Sequence, residues 1–564
     1  MRSFNGMVLI LAAACTGLAG AREPAVRLPD IGSSAATAAS PQELMEYGDA
    51  MLREMRAYNM ILDDPLVSDY MQSLGYRLVA FSDRPDLSYT FFVVRSNEIN
   101  AFAFPSGHIG TNVGLITAVS SEDELAAVTA HEIAHVTQTH TLRAFEDSKK
   151  SALPIALAML GAMVASRNRT DDAGQAALIG GLGLMQQRAI NFTRYDEIES
   201  DRVGIQTLAR AGYDPLAMAD TFSMFQRTMR TNGIDIPEFL RTHPVDVNRI
   251  ADAKARAVQL GRLHAPTDLA TGGPPPAATS GGSGHGLVLT VPTIPAGSPR
   301  AATTTRPAGM SDFDLMRERA RTLTADSPTA ILRYYADELR ENPAANTPAN
   351  RYGHALALLR AREPGRSVEE FTRLTADYPG QLVFELGLAV AEDLASQRSA
   401  AIRRFDKLAA DSPRNRAVAL AFSTTLLADA SKQSAQRAQE LLRPLLARHG
   451  DDPELQRTFA RACELGGDKV RATEAYAEAT FLNGRAEDAL NQLKALSKDT
   501  ELDYYQRARV DARITALTPI VLEQRKRGER NPDSRGAGAA AVERPCPPAG
   551  CVGVSLRRNN SPLQ

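Results

Sequence analysis

Two histidines four residues apart are the strongest chemical signal in the sequence, in the segment His131-Glu132-Ile133-Ala134-His135. On a helix this spacing places both imidazoles on one face, where they can bind a single ion. Neutral imidazoles suit zinc, and the intervening Glu132 would lie beside the open coordination position. Zinc lowers the pKa of bound water to about 7, so Glu132 can take a proton and pass it to a leaving amine. The segment therefore predicts metal-assisted hydrolysis of peptide bonds.

A carboxylate-rich stretch downstream, with Glu197, Glu199 and Asp201, offers the third ligand. Glu197 and Asp201 are four residues apart and share a helix face, whereas Glu199 is expected to point elsewhere. Glu197 can complete a site of two histidines and one glutamate for one zinc ion per chain. Asp201 can accept a hydrogen bond from a ligand imidazole and orient it. Each motif alone has a plain alternative, a chance match on a surface helix or a solvated acidic helix start, but together they favour a metal centre.

The elements that must position these residues form a mixed α+β domain over residues 41–264. A capping box at residues 121–124 predicts a helix that runs to about residue 140. A second helix is predicted at residues 193–212. Three short strands are predicted ahead of both helices, at residues 89–95, 99–104 and 109–113.

Three further histidines lie near these elements. His140 follows His131 by nine residues, and we expect it to face away from the site. His108 is predicted to lie in a turn, either facing a substrate or simply exposed, and the exposed position is favoured. For His243, which precedes Pro244, spacing alone does not separate a helix-start residue from one that approaches the metal.

The first 21 residues have the features of a cleavable export signal. Arg2 precedes a short apolar run, and Ala19-Gly20-Ala21 is a small-x-small cleavage site. Cleavage after Ala21 is favoured over lipoprotein processing at Cys15. The run is too short to span a bilayer, and no later segment has about 18 uninterrupted apolar residues. We therefore expect an exported protein that is soluble or peripheral to a membrane.

Residues 152–185 lie between the two predicted metal-ligand helices and are rich in Ala, Gly and Met. Three roles are open for this span: a mobile lid over the active site, a membrane contact, or core helices. Core packing is favoured, and a membrane contact would make the protein peripherally associated.

The chain from residue 311 to 526 is predicted to be helical and repetitive. Phe371, Phe405, Leu441 and Tyr476 mark similar places in successive helices, at spacings of 34, 36 and 35. A period near 34 is typical of tetratricopeptide repeats, although the signature Trp is absent. Such repeats form a concave surface that can hold another protein, and the alternative is a non-repeating helical bundle.

Composition separates the remaining segments and limits the partners. Residues 265–310 are rich in Gly and Pro and predict a disordered linker that lets the repeats move relative to the protease. Residues 527–564 predict a disordered tail, in which Cys546 and Cys551 could pair, whereas Cys463 is expected to be buried. The net charge of −2 and the absence of Trp disfavour nucleic acid as a partner.

The sequence His131-Glu132-x-x-His135 followed by Glu197-x-x-x-Asp201 resembles the metallopeptidase family that includes the CAAX prenyl proteases and the heat-shock protease X. It is most similar to a subgroup of soluble exported members with a C-terminal tetratricopeptide domain. The further matching stretches are residues 100–105, 123–140, 201–205 and 242–244.

This resemblance implies a zincin-like (gluzincin) domain followed by an all-α tetratricopeptide domain. It implies a periplasmic zinc endopeptidase, with a chaperone-like role, that acts on misfolded or assembling outer-membrane proteins. The repeats would contact the barrel-assembly machinery, and His243 would approach the metal. Substrate would pair with an edge strand, which is a common mode of peptide recognition. That strand comprises Asn100, Ala101, Phe102, Ala103 and Phe104.

Two other functions remain as alternatives. A non-proteolytic chaperone or scaffold could keep a metal fold for structure, but the intact Glu132 argues against it, because a structural site needs no general base. A membrane-embedded prenyl protease is disfavoured by the missing apolar spans.

Overall fold

In the computed structural model, the N-terminal half of the chain is built around a small mixed sheet. The predicted signal peptide, residues 152–185 and the tail lie outside the residues that the structure describes, as does almost all of the predicted linker. The described residues are 40–104, 106–143, 194–232, 238–263 and 309–526.

The sheet has three strands in the order β1-β3-β2. Strand β1 (Thr90–Val94) pairs in parallel with β3 (His108–Asn112), and β2 (Ala101–Ala103) pairs antiparallel with the other side of β3. All three predicted strands are confirmed: β1 and β2 are shorter than expected, and β3 begins and ends one residue earlier. Strand β3 is buried along its whole length. Because β3 lies between β1 and β2, strand β2 forms one edge of the sheet.

Eight helices, besides a short helical segment at residues 140–143, accompany the sheet in the described part of the N-terminal half. Their bounds are α1 Pro41–Ala57, α2 Pro65–Val79, α3 Val113–Ala118, α4 Glu122–Thr137, α5 194–210, α6 Ala217–Asn232, α7 Glu238–Thr242 and α8 Val247–Leu263. In the described part of the chain, none of the helices has both the length and the apolar character that crossing a membrane requires.

Helix α4 is buried along almost its whole length, although its sequence is not strongly apolar. The side-chain oxygen of Ser121 accepts a hydrogen bond from the backbone N–H of Glu124, which caps the helix as predicted. The predicted end near residue 140 is wrong, because Thr139 adopts a left-handed φ of 54°. Residues 140–143 then form a separate helical turn.

Helices α4 and α5 approach each other closely at Gly204. A Cβ atom at this position would lie 3.2 Å from the carbonyl carbon and oxygen of Ala130 and 3.2 Å from the Cα of His131. Because these are backbone atoms of a buried helix, they cannot move aside without shifting α4 itself. The missing side chain therefore sets the distance between the two helices.

We expect Gly204→Ala to destabilise the protein by about 1–3 kcal/mol, the usual cost of forcing an extra methyl group into a packed interior. The measurement is the urea dependence of unfolding. Gly261→Ala is the matched control, because nothing lies within 4 Å of a Cβ at that helical glycine. Equal stability of the two variants would show that the interface between α4 and α5 can accommodate a methyl group.

The C-terminal half is a succession of antiparallel helices. Alternate helices from α11 onward begin at residues 348, 382, 416, 453 and 486, at intervals of 34, 34, 37 and 33. Cys463 is buried, as predicted. The helices are α9 Asp312–Thr324, α10 Pro328–Glu341, α11 Pro348–Arg360, α12 Pro364–Asp377, α13 Leu382–Leu394, α14 Arg398–Asp411, α15 Arg416–Leu427, α16 Lys432–Leu446, α17 Pro453–Gly466, α18 Lys469–Leu482, α19 Ala486–Leu496 and α20 Tyr504–Lys526.

The two halves share one apolar core. Met310, just before α9, and Phe313, in its first turn, belong to the same buried cluster as residues of α2 and α3. Two ion-pair systems reinforce this contact. Arg319 makes bidentate hydrogen bonds to Asp64, at 2.7 and 2.6 Å, and Arg416 reaches Asp69 at 2.6 Å. The expectation that the repeats move freely relative to the protease is therefore wrong, because a buried core and buried charges join them.

Breaking one of these ion pairs should loosen the whole chain. We expect Arg319→Met to lower the free energy of unfolding by roughly 3 kcal/mol, because it leaves the carboxylate of Asp64 poorly solvated and without its partner. Urea denaturation of the full chain is the measurement. The control is Arg340→Met, which removes an exposed pair with Asp337 and should leave the transition unchanged. A wild-type transition for Arg319→Met would mean that this pair does not hold the halves together.

Candidate metal centre

The three predicted metal ligands converge on one point. The Nε2 atoms of His131 and His135, one turn apart on α4, are 3.1 Å from each other. Glu197, on α5, places Oε2 3.4 Å from Nε2 of His131 and Oε1 3.4 Å from Nε2 of His135. The close packing of α4 on α5 thus brings together residues 62 or more positions apart in the chain.

A fourth donor, His243, joins this group directly after α7. Its Nδ1 lies 2.8 Å from Oε1 of Glu197 and 3.4 Å from Nε2 of His131. The ring stacks on Phe239, with centroids 4.7 Å apart, and its backbone N–H donates to the Phe239 carbonyl. The ligand atoms of His131, His135, Glu197 and His243 all lie within 4.8 Å of one another.

The spacing of these atoms fits a tetrahedral metal ion. Zinc bound at 2.0–2.1 Å would separate its ligand atoms by about 3.3 Å. The separations given above range from 2.8 to 3.4 Å. A donor set of imidazoles and one carboxylate is also the set that zinc favours in hydrolytic enzymes. The cluster can therefore hold a metal ion.

Glu132 lies beside the cluster rather than in it. Its side chain is 1% exposed, and Oε1 is 3.7 Å from Nε2 of His243, too far for a hydrogen bond. Among the described residues, no group hydrogen-bonds to this buried oxygen. Burial raises the pKa of Glu132, which brings the carboxylate closer to the range of a general base.

The charges around the cluster call for a cation. Burial lowers the pKa of His135 to about 3, so its imidazole is neutral and able to bind metal. Burial also lowers the pKa of His131, but Asp201 and Glu197 outweigh this effect and raise it to about 10. Burial raises the pKa of Glu197, yet His243, His131 and His135 outweigh burial and hold it well below its usual value. The carboxylates of Asp201 and Glu197 are thus ionised, and a metal ion among them would replace the positive charge of the His131 imidazolium once Nε2 of His131 has lost its hydrogen.

Asp201 lies where the helical spacing predicts, and it has a partner that the sequence reasoning missed. Its Oδ1 is 3.0 Å from Nδ1 of His131. Arg249, near the start of α8, donates to both oxygens of Asp201 at 2.7 and 2.8 Å, lies 3.0 Å from Glu197 and donates to the Pro244 carbonyl at 2.6 Å. The buried carboxylates of Asp201 and Glu197 make a basic partner expected, but no local sequence pattern identifies Arg249 as that partner.

The predicted orientation of His140 away from the site is wrong. Its Nδ1 lies 3.0 Å from Nδ1 of His135, and the residue is 3% exposed. The left-handed Thr139 breaks α4 and turns His140 back toward the ligand. Glu199, also predicted to point elsewhere, reaches Nε2 of His140 at 3.1 Å and so belongs to the surroundings of the centre.

His108 is also placed differently from the prediction. It is the first residue of β3 rather than part of a turn, and it is fully buried. Its Nδ1 lies 2.8 Å from the hydroxyl oxygen of Ser106, and its Nε2 lies 3.0 Å from Asp49. The histidine therefore ties α1 to the sheet.

The predicted substrate strand, residues 100–104, contains β2 and lies close to the metal cluster. In the described part of the chain, β3 is the one strand that pairs with β2, so no described strand pairs with the other edge of β2. The Ile99 carbonyl accepts a hydrogen bond from the backbone N–H of Phe239, at 3.3 Å. Because the Phe239 ring stacks on His243, Ile99, the residue that precedes the predicted substrate strand, is linked through Phe239 to the metal-binding group.

Comparison with known proteins agrees with this geometry. Residues 65–257 match Peptidase family M48. The Beta-barrel assembly-enhancing protease of Escherichia coli (strain K12) is 30% identical over 494 residues, which cover 87% of this chain and 91% of that protein. The protein of that name from Yersinia pestis is 31% identical over 493 residues, with coverage of 87% and 91%.

A more distant relative matches a smaller part of the chain. The Mitochondrial metalloendopeptidase OMA1 of Schizosaccharomyces pombe is 28% identical over 208 residues, which are 37% of this chain and 55% of that protein. The extent of the first matches and the geometry of the ligands lead to one conclusion. The chain belongs to peptidase family M48 and is a metalloendopeptidase of the family that includes the β-barrel assembly-enhancing proteases.

Proposed function

We propose that the chain is a periplasmic zinc metalloendopeptidase with chaperone activity, which promotes assembly of outer-membrane β-barrel proteins and degrades misassembled ones. The main observation is the convergence of His131, His135 and Glu197, with the buried carboxylate of Glu132 beside them, whose Oε1 has no hydrogen-bond partner among the described residues. The names of the relatives support the substrate class, since they describe proteases that enhance barrel assembly. The export features of residues 1–21 support the periplasm.

The residues divide the chemistry among them. Zinc held by His131, His135 and Glu197 would supply the Lewis acidity that polarises a scissile carbonyl. Glu132 takes the proton of the attacking water and delivers it to the leaving amine. A buried carboxylate with one oxygen, Oε1, that no described residue hydrogen-bonds suits both steps. This placement argues against the non-proteolytic scaffold, because a structural metal site gives Glu132 no role.

The substrate would add a strand to the open edge of β2. Asn100, Phe102 and Phe104 direct their backbone groups toward β3, as the bonds from Asn112 to Asn100 and from Phe104 to His108 indicate. The backbone groups of Ala101 and Ala103 therefore face the open edge. An extended, unfolded peptide can pair with them, which suits a protease that acts on unassembled β-strands.

One variant tests both the general base and the strand. Glu132→Gln should keep its zinc but cleave an unfolded protein about 100- to 10,000-fold more slowly, since only the base is lost. The zinc-loaded variant should then hold an extended peptide and protect the amides of Ala101 and Ala103 from hydrogen exchange. Undiminished cleavage would refute the role of Glu132 as the general base. Unchanged hydrogen exchange at β2 with peptide bound would refute only the proposed pairing of substrate with β2, and not the role of Glu132.

The C-terminal helices would hold the client or a component of the barrel-assembly machinery. We propose that they are tetratricopeptide repeats, which the intervals of 33 to 37 residues between alternate helices support. Stacked helix pairs of this kind form concave binding surfaces. Because the repeats share a core with the protease, a client held there would stay at a set distance from the metal centre.

His243 would restrain the enzyme by occupying the position that substrate or water needs. A catalytic zinc needs its fourth position open, and the Nδ1 of His243 lies where a fourth ligand would bind. The residue follows the short helix α7, so a modest backbone movement would withdraw the ring. The opposite role is oxyanion stabilisation by the same imidazole once it has moved aside.

These two roles of His243 predict opposite kinetics. Under restraint, His243→Ala should cleave a model substrate several-fold faster than wild type and degrade itself more readily. Steady-state cleavage at equal zinc content is the measurement, with His354→Ala in the repeats as the control. A His243→Ala protein that is fully loaded with zinc yet slower on every substrate would instead support oxyanion stabilisation.

A further inference from the structure

His140 lies against a metal ligand although the regular course of a helix would not place it there. Residues five apart on a continuous helix point about 140° away from each other. The break at Thr139, with φ of 54°, cancels this divergence and brings Nδ1 of His140 to 3.0 Å from Nδ1 of His135. Left-handed conformations of residues other than glycine cluster at functional sites, which suggests a functional role for the bend at Thr139.

The hydrogen positions in this contact follow from the metal site. Nε2 of His135 faces His131 and Glu197, so it must be free of hydrogen to bind the ion. The hydrogen of His135 is therefore on Nδ1, which donates to Nδ1 of His140. His140 must then carry its own hydrogen on Nε2, which donates to Oε2 of Glu199 at 3.1 Å.

The acceptor at the end of this chain is itself held in place. Arg143 donates to the same oxygen of Glu199 at 2.8 Å, so the carboxylate is ionised and oriented. The hydroxyl of Ser200, 3.1 Å from Nδ1 of His140, is a second possible donor to that nitrogen, and Asp196 lies 3.6 Å from Nε2. Arg143 already places a positive charge beside His140, Asp196 and Glu199. This charge disfavours the binding of a second metal ion by these three residues.

The two ligand histidines are thus supported differently. His131 meets a carboxylate directly, through Asp201 at 3.0 Å. His135 meets an imidazole, and the carboxylate of Glu199 stands one step further away. We propose that His140 is a positioning residue of the metal centre: it accepts from Nδ1–H of His135, donates to Glu199, and so keeps the Nε2 of His135 directed at the ion. This inference rests on the metal centre proposed above.

The test is zinc affinity of the full-length protein, measured by competition with a chromophoric chelator. His140→Phe keeps a ring but removes the acceptor, and we expect it to bind zinc about 10- to 100-fold more weakly. His140→Gln, whose side-chain oxygen can accept from His135, should recover most of the affinity. The control is His354→Phe, far along the chain in α11, which should bind zinc like wild type. Thermal melting of the metal-free proteins checks that all of them fold.

A spectroscopic measurement adds a readout that packing alone would not move. In long-range proton–nitrogen spectra of the zinc-loaded protein, His140 should be neutral with its hydrogen on Nε2. Wild-type affinity in both His140 variants, or a hydrogen on Nδ1 of His140, would overturn the proposal. Two zinc ions per wild-type chain and one in His140→Phe would show instead that His140, Asp196 and Glu199 bind a metal. A wild-type protein without zinc affinity would refute the metal centre itself.

Discussion

The structure depends on burying three carboxylates in one small volume. Glu132, Glu197 and Asp201 are each at most 4% exposed, and an isolated buried charge is costly unless it is paired. Arg249 balances Asp201 and part of Glu197, the imidazole of His243 hydrogen-bonds to Glu197, and Nδ1 of His131 lies 3.0 Å from Asp201. A metal ion at the convergence of the ligands would complete this balance. The need to pair these charges explains why elements distant in sequence must meet here.

The elements that carry the buried charges are closely packed around the cluster. Helix α4 is central and buried, and the glycine at position 204 lets α5 approach it at backbone distance. The segment after α7 is fixed twice, by the ring of Phe239 beneath His243 and by the bond from Arg249 to the Pro244 carbonyl. The Pro244 carbonyl thus connects the segment that carries His243 to Arg249, which also binds Asp201.

The shared core gives the C-terminal helices a direct relation to this centre. Helix α9 packs with α2 and α3, and its Arg319 binds the residue that caps α2, Asp64. The C-terminal helices are therefore connected to α2 and, through the shared core, to α4.

The sequence by itself determined the chemistry and most of the local elements. The four-residue spacing of His131 and His135, and of Glu197 and Asp201, follows from helical periodicity, and three strands and the start of α4 were predictable from alternation and capping. Only the tertiary structure decided the rest. The turn of His140 toward His135 depends on one left-handed residue, the choice of Arg249 depends on contacts across 48 residues, and the docking of the repeats depends on buried pairs such as Arg319 with Asp64. These are long-range consequences of burying charge, which local sequence patterns do not encode.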